Sequence, residues 1–280
     1  MRHIIRQLFL IIFLAASFSI SAQDTYPINS NKTSLNYEFL KPDINLGDEI
    51  GSTFLSGTHH FNIQLNLNSR LSLVGGIPIV NFNLTEDLGN ENFNITGTEI
   101  GNPYIGFKFQ RPGQSFFTEF GTRIPLVDSE DFSFAYSFGT LAEITERVEA
   151  FLPDILPIHL MFGNTFKNRQ NGSFIGFRSG GAVWLNIGDG NGDGVEAILK
   201  NNIRAGLDNR QVRVSIIYHS SWLITEDDDF SDLFYNSLGF QTDLKFNTIS
   251  PYVNFRKPLN ENFENFTDFI LTFGVRLHMP

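Results

Sequence analysis

The chain has 280 residues, a formal net charge of −10 and no cysteine, with 30 Phe and 24 Gly. The absence of Cys excludes a disulfide scaffold, thiol catalysis and Cys-based metal sites. The acidic balance argues against a nucleic-acid partner, and a mean hydropathy of −0.08 is too low for a bundle of membrane-spanning helices.

The beginning of the chain, residues 1–22, has the three parts of a secretory signal peptide. Two arginines supply the positive start, and residues 8–16 form an apolar stretch that is too short to span a bilayer. Small residues then lead up to Ala22 and Gln23, as a cleavage site requires. The pattern predicts export and leaves residues 23–280 as one folded domain.

After the signal, apolar and polar residues alternate with a period of two. Near the end of the chain, Phe269, Leu271 and Phe273 fall on one face, whereas Thr272 and Gly274 fall on the other. A period of two is that of a β-strand, because a helix would repeat its apolar residues at three and four. Applied throughout, the alternation predicts about twelve strands of a length that suits a tilted membrane span. They lie near 34–40, 58–67, 70–82, 102–110, 115–125, 155–167, 173–187, 197–207, 211–223, 237–246, 249–257 and 267–277.

The connections between these strands alternate between short and long. The short ones lie near 68–69, 111–114, 168–172, 208–210 and 247–248. The long ones are 41–57, 83–101, 126–154, 188–196, 224–236 and 258–266. Bacterial outer-membrane barrels have short periplasmic turns and long outer loops, whereas a soluble β-sandwich has no reason to separate them. The sequence therefore predicts an all-β fold, a single transmembrane antiparallel up-and-down β-barrel in the cell outer membrane.

This layout resembles the outer-membrane β-barrels of Gram-negative bacteria. The resemblance rests on the signal ending at Ala22, the alternating strands and the final strand at 269–277, although the chain ends with Pro280 and lacks the usual terminal aromatic residue. It implies contact with outer-membrane lipid, lipopolysaccharide and the barrel-insertion machinery. Residues 101–108 (GNPYIGFK) also resemble strand openings in the transporter-like barrels of the MetA-pathway of phenol degradation family, which implies transport of small organic molecules.

One segment of the longest loop, residues 141–152 (LAEITERVEAFL), has helical spacing. Its apolar residues share one face, and the opposite face is charged. The charged face consists of Glu143, Glu146, Arg147 and Glu149. The pattern predicts one short helix, which either caps the rim of the barrel or acts as a mobile lid or a partner-binding helix.

The polar faces of the strands carry more basic than acidic side chains, and these faces line the lumen if the apolar faces meet lipid. The predicted basic lining residues are Lys108, Arg123, Lys167, Arg178, Arg204, Arg213, Lys245, Arg256 and Arg276. The predicted acidic lining residues are Glu38, Glu119, Asp243 and Asp268. Two interpretations stay open. Either the basic lumen selects anions, or the charges form a salt-bridge network that fills a narrow bore.

A glycine-rich loop at 188–194 (GDGNGDG) begins like a calcium-binding loop. Asp189, Asn191 and Asp193 are the candidate ligands, because alternate oxygen-bearing side chains can reach one hard cation. Lys200 stands where an EF-hand would place its bidentate Glu. The alternative is a plain flexible connection. No other cofactor is expected.

A His-x-Ser pair, His219 and Ser221, lies on one face of a predicted strand. It resembles part of the signature of outer-membrane lipid A deacylases and phospholipases, which implies lipid hydrolysis. Trp222 replaces the Asn that follows the Ser in those enzymes, and the alternation places the pair on the lumen side. We therefore expect no enzyme.

The leading hypothesis is a monomeric passive channel or transporter for small solutes, anionic or organic. The alternatives are a lipid-modifying hydrolase and a structural or adhesive barrel that acts through its outer loops.

Overall fold

The computed structural model describes residues 33–44, 50–52, 56–87, 92–130, 133–143, 146–188, 194–225, 234–260 and 267–279. The strands are β1 (Ser34–Ile44), β2 (Ile50–Ser52), β3 (Gly57–Asn66), β4 (Leu71–Asp87), β5 (Asn92–Ile100), β6 (Tyr104–Gln110), β7 (Phe117–Arg123), β8 (Ile155–Lys167), β9 (Ser173–Asn186), β10 (Val195–Asp208), β11 (Val212–Leu223), β12 (Phe234–Leu244), β13 (Ile249–Pro258) and β14 (Thr267–His278). A helix, α1 (Phe134–Glu143), lies between β7 and β8. No helix in these ranges is long and apolar enough to span a bilayer. The predicted signal peptide lies outside them.

Twelve of the strands close into an antiparallel barrel, which confirms the predicted fold class. Strands of the ring pair in chain order, and β1 closes the ring against β14, where Phe39 lies opposite Phe273. The short strands β2 and β5 stand outside the ring and pair with the end of β4 that runs toward the long loops. The β4–β5 pairing was not predicted, because residues 83–101 were interpreted as a loop.

The two faces of the barrel wall differ in polarity as the alternation predicted. Phe240 is 49% exposed on the outside, while its neighbour Gln241 is 3% exposed on the inside. Exposed apolar side chains of the outer surface include Phe61, Leu65, Phe107, Phe120, Ile203, Ile216, Phe240, Val253, Phe255 and Phe273. Because this apolar surface would be costly in water, it fits a wall that meets hydrocarbon.

The short connections are tight turns at one end of the barrel. In the turn between β8 and β9, the Gly172 amide donates to the carbonyl oxygen of Asn168 over 3.0 Å. Gly172 has a φ of 74°, a conformation that glycine adopts without a steric penalty. An up-and-down barrel puts successive connections at alternate ends, so the long loops all lie at the opposite end.

The helix of the longest loop begins earlier than predicted. The predicted segment 141–152 holds only the end of α1, and a 3-10 turn follows at Val148–Ala150. The charged face of the segment is buried, with Glu143 0% and Glu149 2% exposed. The sequence showed this polar face but not which groups lie beside it. Apolar side chains of β4, of α1 and of the rest of the loop between β7 and β8 form one buried core. It consists of Val80, Phe82, Val127, Ala135, Tyr136, Phe138, Ala150 and Phe151.

Candidate functional site

The loop between β7 and β8 folds into the barrel. We call its described residues 133–143 and 146–152 the plug. Charged side chains of the plug contact inward-facing residues from strands all around the ring. These wall residues are Glu38 of β1, Thr58 and His60 of β3, Arg123 of β7, His159 of β8, Lys200 of β10, His219 of β11 and Arg256 of β13. Only a segment inside the lumen can reach all of these strands.

Glu143, at the end of α1, is held by the wall and by the plug itself. Its Oε1 lies 2.6 Å from His60 Nε2 and accepts a hydrogen bond from Thr58 Oγ1 over 3.0 Å. Its Oε2 lies 2.8 Å from Nε of Arg147, and Nη1 of the same guanidinium lies 3.0 Å from Glu38 Oε2. Burial raises the pKa of Glu143, but Arg147 and His60 outweigh burial, so this pKa lies well below its usual range. Arg147 therefore joins two carboxylates in a buried chain of charges.

Glu146 contacts a second part of the wall. Its Oε1 lies 2.5 Å from Arg256 Nη1 and 3.1 Å from His219 Nε2. The other ring nitrogen of His219, Nδ1, lies 2.8 Å from Nδ2 of Asn202. The histidine thus has a partner at each nitrogen, an amide on one side and a plug carboxylate on the other.

Glu149 contacts a third group of wall residues. Lys200 Nζ lies 2.5 Å from its Oε2, while Arg123 Nε and His159 Nε2 lie 3.5 Å and 3.7 Å from its Oε1. Burial raises the pKa of Glu149, but Lys200, His159 and Arg123 outweigh burial and lower it to about 2. Lys200 also donates to the carbonyl oxygen of Glu146 over 2.9 Å, so the same ammonium holds side chain and backbone of the plug.

Gly101 and Asn102, which precede β6, hold the backbone of the plug. Asn102 Nδ2 donates to the carbonyl oxygens of Glu149 and Leu152, and its Oδ1 accepts from the amides of two residues at the start of the loop. A Cβ on Gly101 would clash with the carbonyl oxygen of Ala150, so only glycine permits this approach. The Gly-Asn-Pro opening singled out in the sequence therefore fastens the plug to the wall.

Little space is left where the plug meets β12 and β13. A cavity of about 10 Å³ lies among Glu146, Arg147, Gln241 and Arg256, which is about the room of one water molecule. Val148 and Leu152 of the plug, with Ile155 and Leu223, pack against a buried cluster of Ala182, Trp184 and Ile198. The described plug thus leaves little room beside Gln241 and Arg256 and also packs against apolar side chains of the wall.

The remaining predicted lining residues, apart from Asp268, form three clusters on the inner face of the wall. Lys108 and Arg178 lie 4.5 Å and 5.5 Å from the centre of the Phe117 ring, and Glu119 accepts from Tyr104 over 2.7 Å. A second cluster joins Arg204, Gln241, Asp243 and Arg276. A third surrounds Asp208, which contacts Lys167, Arg213 and Lys245.

One predicted lining residue departs from the set. Asp268 is exposed, whereas its neighbour Thr267 is 2% exposed. The register between β1 and β14 shifts there, since Ile44 pairs with Thr267 and Asp43 pairs with Phe269. A bulge of this kind inserts an extra residue and reverses the alternation, which the sequence period could not reveal.

The other two predicted motifs are the glycine-rich loop and the His-x-Ser pair. Asp189, Asn191 and Asp193 lie outside the described residues. Within the described ranges, no three His, Asp or Glu side chains form a group that could hold a metal ion. His219 and Ser221 are 3% and 1% exposed and face the lumen.

The sequence analysis missed several wall residues that contact the plug, although the alternation of apolar and polar residues indicates the inward side for some of them. Lys200 shares a face with Arg204, and His159 shares a face with Lys167, so strand parity alone would have placed both inside. Asn102 gave no such signal, because it precedes its strand. The plug carboxylates could not be found by parity either, since they lie on a loop.

No protein-family model and no curated protein matches the sequence. The resemblance to the MetA-pathway family therefore stays a prediction. Solved structures of outer-membrane barrels do match. The NanC porin is 7% identical over 88% of this chain and 100% of its own, with a TM-score of 0.48. The KdgM porin is 9% identical over 88% and 99%, with a TM-score of 0.45. The toluene transporter TodX of Pseudomonas putida is 9% identical over 93% and 94%, with a TM-score of 0.45. At such identities and scores, the matches say nothing about what this chain binds.

Proposed function

We propose that the protein is an outer-membrane barrel that conducts small anionic solutes through its lumen, and that the plug is the gate of this pathway. The observation that carries the proposal is the placement of Glu143, Glu146 and Glu149. These carboxylates meet the basic groups of the wall inside the lumen. The wall is thus suited to anions, and the plug occupies the groups that an anion would meet.

The contacts that hold the plug suit a gate better than a permanent seal. Val127 and Asp154, at the two ends of the loop, are joined by a backbone hydrogen bond of 3.0 Å, so the loop leaves the wall and returns to it at one place. Inside the lumen, much of its attachment is through buried ion pairs. Buried ion pairs add little net stability, because desolvation offsets their attraction. Removing one charge of such a pair is costly, however, so the closed state responds to protonation of a plug carboxylate or to a competing anion.

The alternatives receive less support from the geometry. A lipid hydrolase would need His219 to activate Ser221 at a lipid-facing site. Here both ring nitrogens have other partners, and the pair faces the lumen. A structural barrel with a permanent plug has the same closed state as a gated pore, so conductance must separate the two.

The test compares the wild-type barrel with a variant in which residues 129–152 are replaced by a short Gly-Ser linker. The short distance between Val127 and Asp154 allows this replacement without straining the wall. In planar bilayers we expect brief or small openings from the wild type and a steady conductance from the variant. Glu130→Gln, which changes an exposed carboxylate of the same loop, is the control and should behave as the wild type. A folded variant that stays silent would favour the structural barrel.

A further inference from the structure

The wall presents basic groups to each plug carboxylate from separate strands. Glu149 meets Arg123, His159 and Lys200 from β7, β8 and β10. Glu146 meets Arg256 and His219, and Glu143 meets His60. Each of these wall side chains is at most 4% exposed. Three buried cations, Arg123, Lys200 and Arg256, together with three buried histidines from other strands, form a built site rather than scattered surface charge.

Some of these wall groups are also held without the help of the plug side chains. Arg123 Nη1 donates to the backbone carbonyl oxygen of Asn102 over 2.9 Å. His219 Nδ1 lies 2.8 Å from Asn202 Nδ2, an amide of the neighbouring strand. Their orientation therefore survives departure of the plug, and a preorganised site binds a ligand at a lower entropic cost.

The geometry points to a binding site in the wall for a small solute with two or three carboxylate groups, a site that the plug fills with its own glutamates when the barrel is closed. This inference rests on the proposed function, because the solute reaches the site on its way through the lumen. Glu146 and Glu149 are three residues apart. Lys200 Nζ contacts both the Glu149 carboxylate and the backbone carbonyl oxygen of Glu146, so the two residues meet neighbouring parts of the wall, as two carboxylates of one small solute could.

The plug and the solute compete for the same cations, and competition fixes the sign of a substitution in the plug. Removing a plug carboxylate weakens the competitor, so the apparent affinity for a polycarboxylate should rise. Removing a wall cation weakens both the site and the hold on the plug, so its effect on the site is measured where the plug carboxylate is already removed, and there the affinity should fall. An apparent dissociation constant is the intrinsic one divided by the fraction of molecules whose site is open.

Trp184 provides a built-in reporter for the position of the plug. The sequence has two tryptophans, so Trp222→Phe leaves Trp184 alone. Its ring is buried in a cluster with Ala182 and Ile198, and Val148 and Leu152, on either side of Glu149 in the chain, pack against this cluster. Displacement of the plug exposes this ring and should shift its emission to longer wavelength.

The experiment titrates the Trp222→Phe protein, folded in detergent, with citrate. Potassium chloride at equal ionic strength, inorganic phosphate and glycerol are the comparison solutes. We expect a saturable shift with citrate, a weaker one with phosphate and none with glycerol or chloride. Adding Glu149→Gln should tighten citrate binding about tenfold or more, since the closed fraction falls. Lys200→Gln, added to Glu149→Gln, should weaken citrate binding about tenfold relative to Glu149→Gln alone, and Glu130→Gln by itself should leave the wild-type affinity unchanged.

A shift that does not saturate, or one that chloride reproduces, would overturn the inference. An equal affinity in the Glu149→Gln and Glu130→Gln proteins would overturn it as well. Heat-modifiable gel mobility shows that each variant has a folded barrel. Conductance separates the two proposals: a conducting barrel without citrate binding refutes only the site, whereas citrate binding without conductance refutes only the pore.

Discussion

Lys200 Nζ of β10 lies 2.5 Å from Glu149 Oε2 of the plug, and both side chains are almost wholly buried. A carboxylate and an ammonium withdrawn together from water need each other, because either one alone would be costly at that site. The pair therefore ties the conformation of a loop to the charge of the barrel wall. This coupling gives the lumen a closed state that depends on charge rather than on apolar packing alone.

The first prediction concerns Asn102→Ala. The change leaves the carbonyl oxygens of Glu149 and Leu152 and two loop amides without their partner, and each buried group left unsatisfied costs about 1–3 kcal/mol. We expect the plug to leave the lumen while the barrel stays folded. Trypsin should then cut after Arg147, which is 3% exposed in the closed state. Asn247→Ala, in an exposed short turn, is the control. Equal resistance of Asn102→Ala and wild type would contradict the fastening role of Asn102.

The second prediction concerns acid. The pKa values of Glu143 and Glu149 are lowered in the closed state, that of Glu149 to about 2. A carboxylate with a lowered pKa stabilises the closed state fully above its free value of about 4.3, and this contribution is lost as the pH falls toward the lowered value. The loss of these two carboxylate charges should therefore shift the Trp184 emission of the Trp222→Phe protein as the pH falls below about 4.5. A midpoint between pH 5 and 7 would show that other groups control the plug.

The third prediction concerns the wall. Phe240→Arg places a guanidinium on the outer apolar surface and should cost about 2–4 kcal/mol near the bilayer midplane. Phe240→Leu keeps the surface apolar and should cost much less. Denaturant unfolding from lipid vesicles measures both. At the adjacent Gln241, an added Arg would instead face Arg204, so its effect would come from repulsion inside the lumen. Equal free energies of unfolding for the two Phe240 variants would refute the face assignment.

The sequence was sufficient for the wall and insufficient for the plug, and the difference has a physical cause. A strand between lipid and a polar lumen must alternate, so the period located all twelve strands of the ring and the sides of residues such as Phe240 and Arg256. The alternation also contained Lys200 and His159, which were overlooked. A loop is under no such constraint. The spacing of Glu143 and Glu149 showed a polar face but not whether water or the basic groups of the wall lie beside it.

The same reasoning explains the smaller errors. Asp268 breaks the alternation through a bulge, and the pairing of β5 with β4 depends on a hairpin whose residues resemble a polar loop. Gly101 and Asn102 stood out in the sequence through a resemblance, but their role needs the carbonyl oxygens of a segment about fifty residues away along the chain. Sequence periodicity cannot report contacts of that kind.

The central claim is that the lumen is an anion pathway closed by its own acidic loop. The most direct measurement is the reversal potential of the barrel with residues 129–152 replaced, in a planar bilayer under a salt gradient. Without the plug, basic groups such as Lys200 and Arg256 lose their carboxylates, and fixed positive charge in a low-dielectric wall attracts anions. We predict anion preference that is strongest at low salt, where the Debye length exceeds ~10 Å, and that weakens in Arg256→Gln. Cation preference, or a folded barrel that carries no current, would contradict the account.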